Sequence, residues 1–214
     1  MEKKTLSNIL EGKIFQIPDY QRGYAWEAKQ WNDFVQDIDA LIDDKIISHY
    51  TGTIVIYQPI SKPTENYGTK KLEIVDIVDG QQRLTTCSLY LSIIIKELIK
   101  LRQDDFNAEI PIYLYSGSKS KLRLNNDTAD FFLDLISKGV SNIEANSVHQ
   151  KTQQYHYSYP GMNDSLTMEN DHDFAYQADT RYNSAVHSWR YVPSYQMSHK
   201  GHEELLMVAR CRTS

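Results

Sequence analysis

The sequence predicts an α/β (α+β) fold, a small mixed sheet flanked by helices. Three observations carry that prediction. Leu72 to Val78 is rich in β-branched residues and runs through an Asp79-Gly80 pair into a long apolar helical pattern that lasts to about Arg102. Two further β-rich segments, Lys13 to Ile17 and Tyr50 to Gln58, precede it. Between and after them, residues 27–44 and 128–137 place their apolar side chains on one helical face each.

Taken in order, Lys4 to Leu10 is a short amphipathic start ended by Gly12, and the strand from Lys13 stops at Pro18, which has no N–H to donate to a ladder. The loop Pro18 to Trp26 follows, with Tyr20, Tyr24 and Trp26 around Arg22. At least two of these aromatics are expected to cover the next helix, whereas a guanidinium held between rings is rigid enough to be aimed at a ligand. In the helix from Glu27 to about Asp44, Trp31, Phe34, Ile38 and Leu41 form the buried stripe and the acidic residues a solvated face. The strand Tyr50 to Gln58 returns through a polar loop, Ser61 to Lys71, so it and Leu72–Val78 are expected to be sheet neighbours. After the long helix, Ile110 to Tyr115 alternates as a strand and Ser116 to Ser120 is a loop. Asp127 is the candidate N-cap of the helix from about Thr128 to Ser137, and Gly139 ends it. Arg123 is expected in a structural salt bridge.

The turn between strand and long helix concentrates the chemistry. Gly80 accepts positive φ and leaves its amide unshielded, and the helix start presents unpaired N–H groups that favour a phosphate. Arg83 offers a planar fork for phosphate oxygens, Thr85 and Thr86 offer hydroxyls, Asp79 a carboxylate for a metal ion or a water, and Gln81 and Gln82 polar edges. The residues alone leave a second reading open, in which Asp79 and Gln81 cap the helix and Arg83 makes a surface ion pair.

A chain of 214 residues has room for one substantial domain or two small ones, and its net charge of -5 argues against an autonomous, strongly basic nucleic-acid binder. Cys87 and Cys211 have neither metal-ligand nor disulfide spacing. No signal peptide or membrane-length apolar run is read, so the expected location is the cytoplasm. Composition breaks near Ser147: all 20 isoleucines lie before it, and six of the seven histidines after it. Residues 1–147 therefore read as the domain, and residues 148–214 as an atypical, poorly ordered or non-native tail that cannot offset its ordering entropy by apolar burial. Within that tail, His199, His202 and Glu203, or Asp171 and His172, match metal-site fragments without a supporting frame.

Four stretches in order carry a resemblance: Ile17-Pro18-Asp19-Tyr20-Gln21-Arg22-Gly23-Tyr24-Ala25-Trp26, Thr51-Gly52-Thr53-Ile54-Val55, Asp79-Gly80-Gln81-Gln82-Arg83-Leu84-Thr85-Thr86 and Leu122-Arg123-Leu124-Asn125. Over roughly residues 5–140 the chain resembles the family once called domain of unknown function 262, the N-terminal domain of GmrSD-type modification-dependent restriction systems and related phage-defence proteins. The resemblance implies a ParB/sulfiredoxin-like domain that binds a nucleoside triphosphate, GTP or ATP, and in several members hydrolyses it with Mg²⁺. It gives the nucleotide-binding role to Asp79, Gly80, Gln81, Gln82 and Arg83, and turns Gln21 and Arg22 toward the same pocket. Family members usually carry a C-terminal HNH nuclease, which these residues do not contain.

The expected function is that of a regulatory domain, a candidate Mg²⁺-dependent NTPase of a modification-dependent restriction or defence system. In it Asp79, Arg83 and Arg22 are the catalytic candidates, Gln21, Gly80, Gln81, Gln82, Thr85 and Thr86 hold nucleotide, and Asp79 holds the metal. Expected partners are the nucleotide, foreign or modified DNA through the full system, and a nuclease subunit or a second copy, with no membrane. The alternatives are a non-catalytic module recognising DNA or a partner, for which 17 basic against 21 acidic residues in 1–147 is a weak endowment, and a truncated inactive product.

Overall fold

The computed structural model describes residues 2–42, 50–125, 128–141, 143–158 and 206–212. They form a mixed sheet with helices packed against it, the α/β class expected. The sheet contains β1 (Glu2–Thr5), β2 (Lys13–Gln16), β3 (Tyr50–Tyr57), β4 (Thr64–Tyr67), β5 (Lys70–Asp79), β8 (Leu122–Arg123) and β9 (Leu206–Arg212), and its order is β1-β9-β3-β5-β2-β8. Strand β5 organises it: β2 pairs parallel along Glu73–Asp76, while β4 and then β3 pair antiparallel on the opposite edge. Because β8 also runs parallel to β2, three strands end side by side at one edge of the sheet. Loops leaving the carboxyl ends of parallel strands meet there, the usual place for a ligand crevice in α/β sheets.

The long helix α3 (Gln81–Arg102) follows β5 directly and is the centre of the core. Every residue from Leu84 to Ile95 is buried, as befits a helix that is apolar nearly all round. Helix α2 (Ala28–Ile42) packs on it through Trp31, Phe34 and Ile38. Phe34 stands edge-on to Tyr90 at 5.4 Å between ring centroids, a favourable aromatic geometry. Helix α5 (Ala129–Lys138) buries Phe131, Phe132, Leu135 and Ile136 and ends at Gly139, whose φ of 81° only glycine adopts readily. At the chain start Thr5 caps α1 (Leu6–Leu10), its hydroxyl accepting the Asn8 N–H at 3.1 Å.

Four expectations are corrected. Ile110–Tyr113 is a helical turn, α4, entered from a 3₁₀ segment (Gln103–Glu109), with Leu114 N–H donating to the Ile110 carbonyl. Pro111 decides this, since it lacks a ladder donor and fits the first turn of a helix. The stretch read as a polar loop contains β4, joined to β5 by a two-residue turn with Gly68 at φ 58°. The Ser116–Ser120 loop is a small hairpin, β6 (Tyr115–Ser116) with β7 (Lys119–Ser120), turning at Gly117. Fourth, the start of the compositionally deviant tail is an ordered helix, α6 (Val148–Tyr157), with Gln153 and Tyr157 buried. It lacks an apolar face of its own and docks on surface supplied by α3 and α5. Asp127, the expected N-cap, and the expected end of α2 beyond Ile42 lie outside the described residues, as do His172, His199 and His202.

Candidate functional site

The turn Val78–Arg83 lies where β5 hands over to α3. Gly80 has φ 97°, and a Cβ there would stand 2.9 Å from Ile54 Cγ1 and 3.3 Å from the Ile54 Cα, so β3 presses on the turn and leaves room for glycine alone. The register of the two strands shifts between Val55 and Ile56, with Val78 of β5 as the extra residue beside Asp79. Asp79 accepts the Gly80 N–H through Oδ1 at 2.8 Å, while its side chain stays 65% exposed with Oδ2 3.7 Å from Arg83 Nη2. At that distance and exposure the ion pair contributes little. Its carboxylate therefore faces solvent at the mouth of the turn.

Arg83 is held by something else. Its Nη2 donates to the Thr53 carbonyl at 2.5 Å, and the guanidinium lies on Gly52, where a Cβ would come within 2.1 Å of Nη1. Gly52 has φ 109°. The signal in the sequence was a glycine inside an otherwise β-rich strand, which marks close approach. Arg83 is thus aimed by β3, and only a quarter of its side chain is exposed. Beside it a cavity of about 190 Å³ opens between α2, β3 and α3, walled by Trp26, Phe34, Thr51 and Cys87 and edged by the carboxylates of Asp33 and Asp37. Burial pushes the Cys87 thiol up to about 12 despite the nearby Arg83, which excludes it as a thiolate nucleophile at neutral pH.

The first loop arrives from β2 and is stitched to the turn. Gln21 Nε2 donates to the Val78 carbonyl at 3.0 Å, and Gln81 Nε2 donates to Gln21 Oε1 at 3.2 Å. From the end of β8, Asn125 Nδ2 donates to the Gln21 carbonyl at 3.1 Å. Gln82 grips the loop farther on: its Oε1 accepts the Ala25 N–H at 2.8 Å and its Nε2 donates to the Gly23 carbonyl at 3.0 Å. Both of its amide atoms are used in this way, so Gln82 positions the loop. Arg22 is exposed and has no polar partner among the described residues.

Of the three aromatics, Tyr24 and Trp26 cover α2 as expected, and Tyr20 is 78% exposed. Tyr24 Oη accepts from Trp31 Nε1 at 2.6 Å and is 2.9 Å from Thr86 Oγ1. Burial raises its phenol well above the ordinary range, and the bonds to Thr86 and Trp31 only partly counter this.

The structure does not bring Thr85 and Thr86 to the open face of the turn. Both are buried, and their hydroxyls donate to the carbonyls of Gln81 and Gln82 one turn back, at 2.8 and 2.9 Å. Helical phase turns them into the core, so the hydroxyls expected for phosphate are spent on the helix. Arg123 also stays apart, paired with Glu65 at 2.7 Å; hydrogen bonds from Lys119 and Arg123 hold the Glu65 carboxyl below its usual range. Gly52, Thr53 and Asn125, by contrast, belong to the site's frame.

With this geometry in place, comparison with protein families is decisive. The model of the GmrSD restriction endonuclease N-terminal domain matches residues 3–201. The chain belongs to that family. As a GmrSD N-terminal domain it sits in the context of a restriction and phage-defence system, which implies an encounter with DNA. The match runs well past Ser147, so the compositional break does not bound the family domain. No curated protein compared with the chain matches it. Among the described residues no helix is long and apolar enough to cross a membrane, and no three His, Cys, Asp or Glu side chains gather as a metal site.

Proposed function

We propose that this GmrSD N-terminal domain is a regulatory module that binds a nucleoside triphosphate, GTP or ATP, at the Asp79–Arg83 turn and hydrolyses it slowly. The observation that carries the reading is an arginine, Arg83, fixed beside a glycine-opened helix start. Arg83 is fixed against Gly52 and Thr53, and Arg22 is exposed on a loop tied to the same turn. The N–H groups of Gln81, Gln82 and Arg83 precede the first bond of the helix ladder, Leu84 N–H to the Gly80 carbonyl at 3.1 Å, and they add a favourable dipole for phosphate.

Asp79 at the mouth would repel a bare phosphate, so the donor set suits a phosphate that brings a cation. One carboxylate plus phosphate oxygens and waters is an ordinary environment for Mg²⁺, and Asp79 fits that role as the sole protein carboxylate of the turn. When bound, the ion would neutralise phosphate charge. The chain's own residues do the rest: Gln81 and Gln82 fix the loop, Arg83 and Arg22 meet the charge that develops as the terminal phosphate leaves, and Asp79 orients a water. With Asp79 as the one carboxylate of the turn itself, turnover is expected to be slow.

The test is binding of labelled GTP and ATP with Mg²⁺ to the full chain, beside Arg83→Ala and Arg22→Ala, with phosphate release followed in parallel. Loss of binding in folded Arg83→Ala supports the reading; equal affinity in that variant refutes it. A salt-sensitive complex with modified duplex DNA and no nucleotide binding would reassign the turn to DNA phosphates.

A further inference from the structure

We propose that His149, on helix α6, is a positioning residue for the Gln21–Arg22 loop, so that α6 completes the candidate site from 125 residues farther along the chain. This rests on the nucleotide reading above. The segment Gly23–Ala25 is gripped from two sides. Gln82 of α3 takes the Gly23 carbonyl and the Ala25 N–H. The Tyr24 carbonyl between them is taken by His149 Nδ1 at 2.9 Å. A carbonyl can only accept, so Nδ1 carries the proton, in the neutral imidazole as in the cation.

Packing enforces the same contact. The His149 ring lies on Gly23 so closely that a Cβ there would come 2.5 Å from Cδ2 and 2.6 Å from Cγ. These are ring atoms next to the helix backbone, with little freedom to retreat. Gly23 is not in a positive-φ conformation, so contact with the imidazole is what demands glycine at this position. The Tyr24 side chain is anchored between Trp31 and Thr86, which leaves its peptide group as the adjustable joint of the loop.

Arg22 comes immediately before this joint. Its side chain has no polar partner among the described residues, so its direction is set by the backbone that Gln82 and His149 hold. Removing the imidazole frees one of the two grips and lets Arg22 swing, at a cost in ligand affinity out of proportion to any cost in folding. The rest of α6 is seated elsewhere: Lys96 Nζ donates to Tyr157 Oη at 2.8 Å, and Gln153 is fully buried. The helix therefore stays docked when His149 is changed.

The experiment measures affinity for labelled GTP and ATP with Mg²⁺, and the thermal midpoint, on the full chain and on His149→Ala, His149→Asn, His149→Gln, Gly23→Ala and the double variant Gly23→Ala with His149→Ala. Expected is a loss of roughly tenfold in affinity for His149→Ala, equivalent to ~1.4 kcal/mol, with recovery in His149→Asn, whose amide N–H occupies the Nδ1 position. His149→Gln places its amide at the Nε2 position and should not recover. Gly23→Ala should match His149→Ala, because its methyl displaces the ring, and the double variant should be no worse than either single one. Nucleotide binding by the parent chain with unchanged affinity in His149→Ala and Gly23→Ala overturns the inference. A fall in affinity that His149→Asn does not restore and that only tracks the thermal midpoint overturns it as well, reducing His149 to a folding residue. Absence of nucleotide binding by the parent chain overturns the nucleotide reading itself.

Discussion

Replacing Gly52 with Ala tests how Arg83 is aimed. Two costs arise at that position. Alanine at φ 109° is strained by about 1–3 kcal/mol. Its Cβ would stand 2.1 Å from Nη1 and 2.9 Å from Cζ, so the guanidinium must leave the Thr53 carbonyl. A hydrogen bond from a charged group is worth ~1.5–3 kcal/mol, and partial exposure of Arg83 reduces this to about 1–2 kcal/mol. The sum is about 2–5 kcal/mol, or roughly 5–15 °C in thermal midpoint for a chain of this size. Arg83→Ala alone loses the same hydrogen bond and no strain. The two changes share one interaction, so the double variant should cost about 1–2 kcal/mol less than the sum of the singles in urea unfolding. Gly52→Ala should also weaken nucleotide binding nearly as much as Arg83→Ala. Full additivity in the cycle, or a Gly52→Ala protein as stable as the parent, would refute the account of Arg83 as a side chain held by β3.

Gln82→Ala leaves the Ala25 N–H and the Gly23 carbonyl without their partners and should destabilise by about 2–4 kcal/mol in urea unfolding, with faster amide exchange in residues 18–26. Gln153 is fully buried, and neither of its side-chain amide atoms has a hydrogen-bond partner among the described residues. Gln153→Leu should therefore raise stability by about 1–2 kcal/mol, read as a higher thermal midpoint. Burial pulls the ammonium groups of Lys96 and Lys121 down to about 8, below their unfolded value. The unfolded chain then binds more protons between about pH 8 and 10.5, so these two groups make stability rise with pH over that window. From about pH 9 the buried Cys87, and above about pH 10 the buried Tyr157, both raised to about 12 chiefly by burial, act in the opposite direction. Thermal midpoints at pH 7.5, 8.5 and 9.5 should climb in the parent chain and climb less in Lys121→Met.

Much of the site was legible as local chemistry. The β-branched run into Asp79-Gly80 and the apolar helix after it specify strand, turn and helix within some thirty consecutive residues, and the structure places all three there. The helix ends at Gly139 and the loop aromatics were legible for the same reason. Thr85 and Thr86 were misread because composition says nothing about helical phase: one turn into α3 their hydroxyls face the core and return to the carbonyls of Gln81 and Gln82. Six residues from Ile110 were too few to tell a period of two from one of 3.6, and Pro111 outweighed the alternation. The start of the tail was misjudged because α6 borrows its apolar surroundings from α3 and α5, so its own sequence has no stripe to find.

By itself, then, the sequence determined the α/β class, the buried central helix and a glycine-opened turn rich in polar side chains, since each depends on neighbours within one element. Only the tertiary structure decided which side chains converge on that turn. Gln21 reaches Val78 across 57 residues and His149 reaches Tyr24 across 125, contacts that no local period encodes. The first exists because β2, β5 and β8 run parallel and end at one edge of the sheet, where each strand's exit loop comes within hydrogen-bonding distance of the others, and the second because α6 docks on α3 and α5.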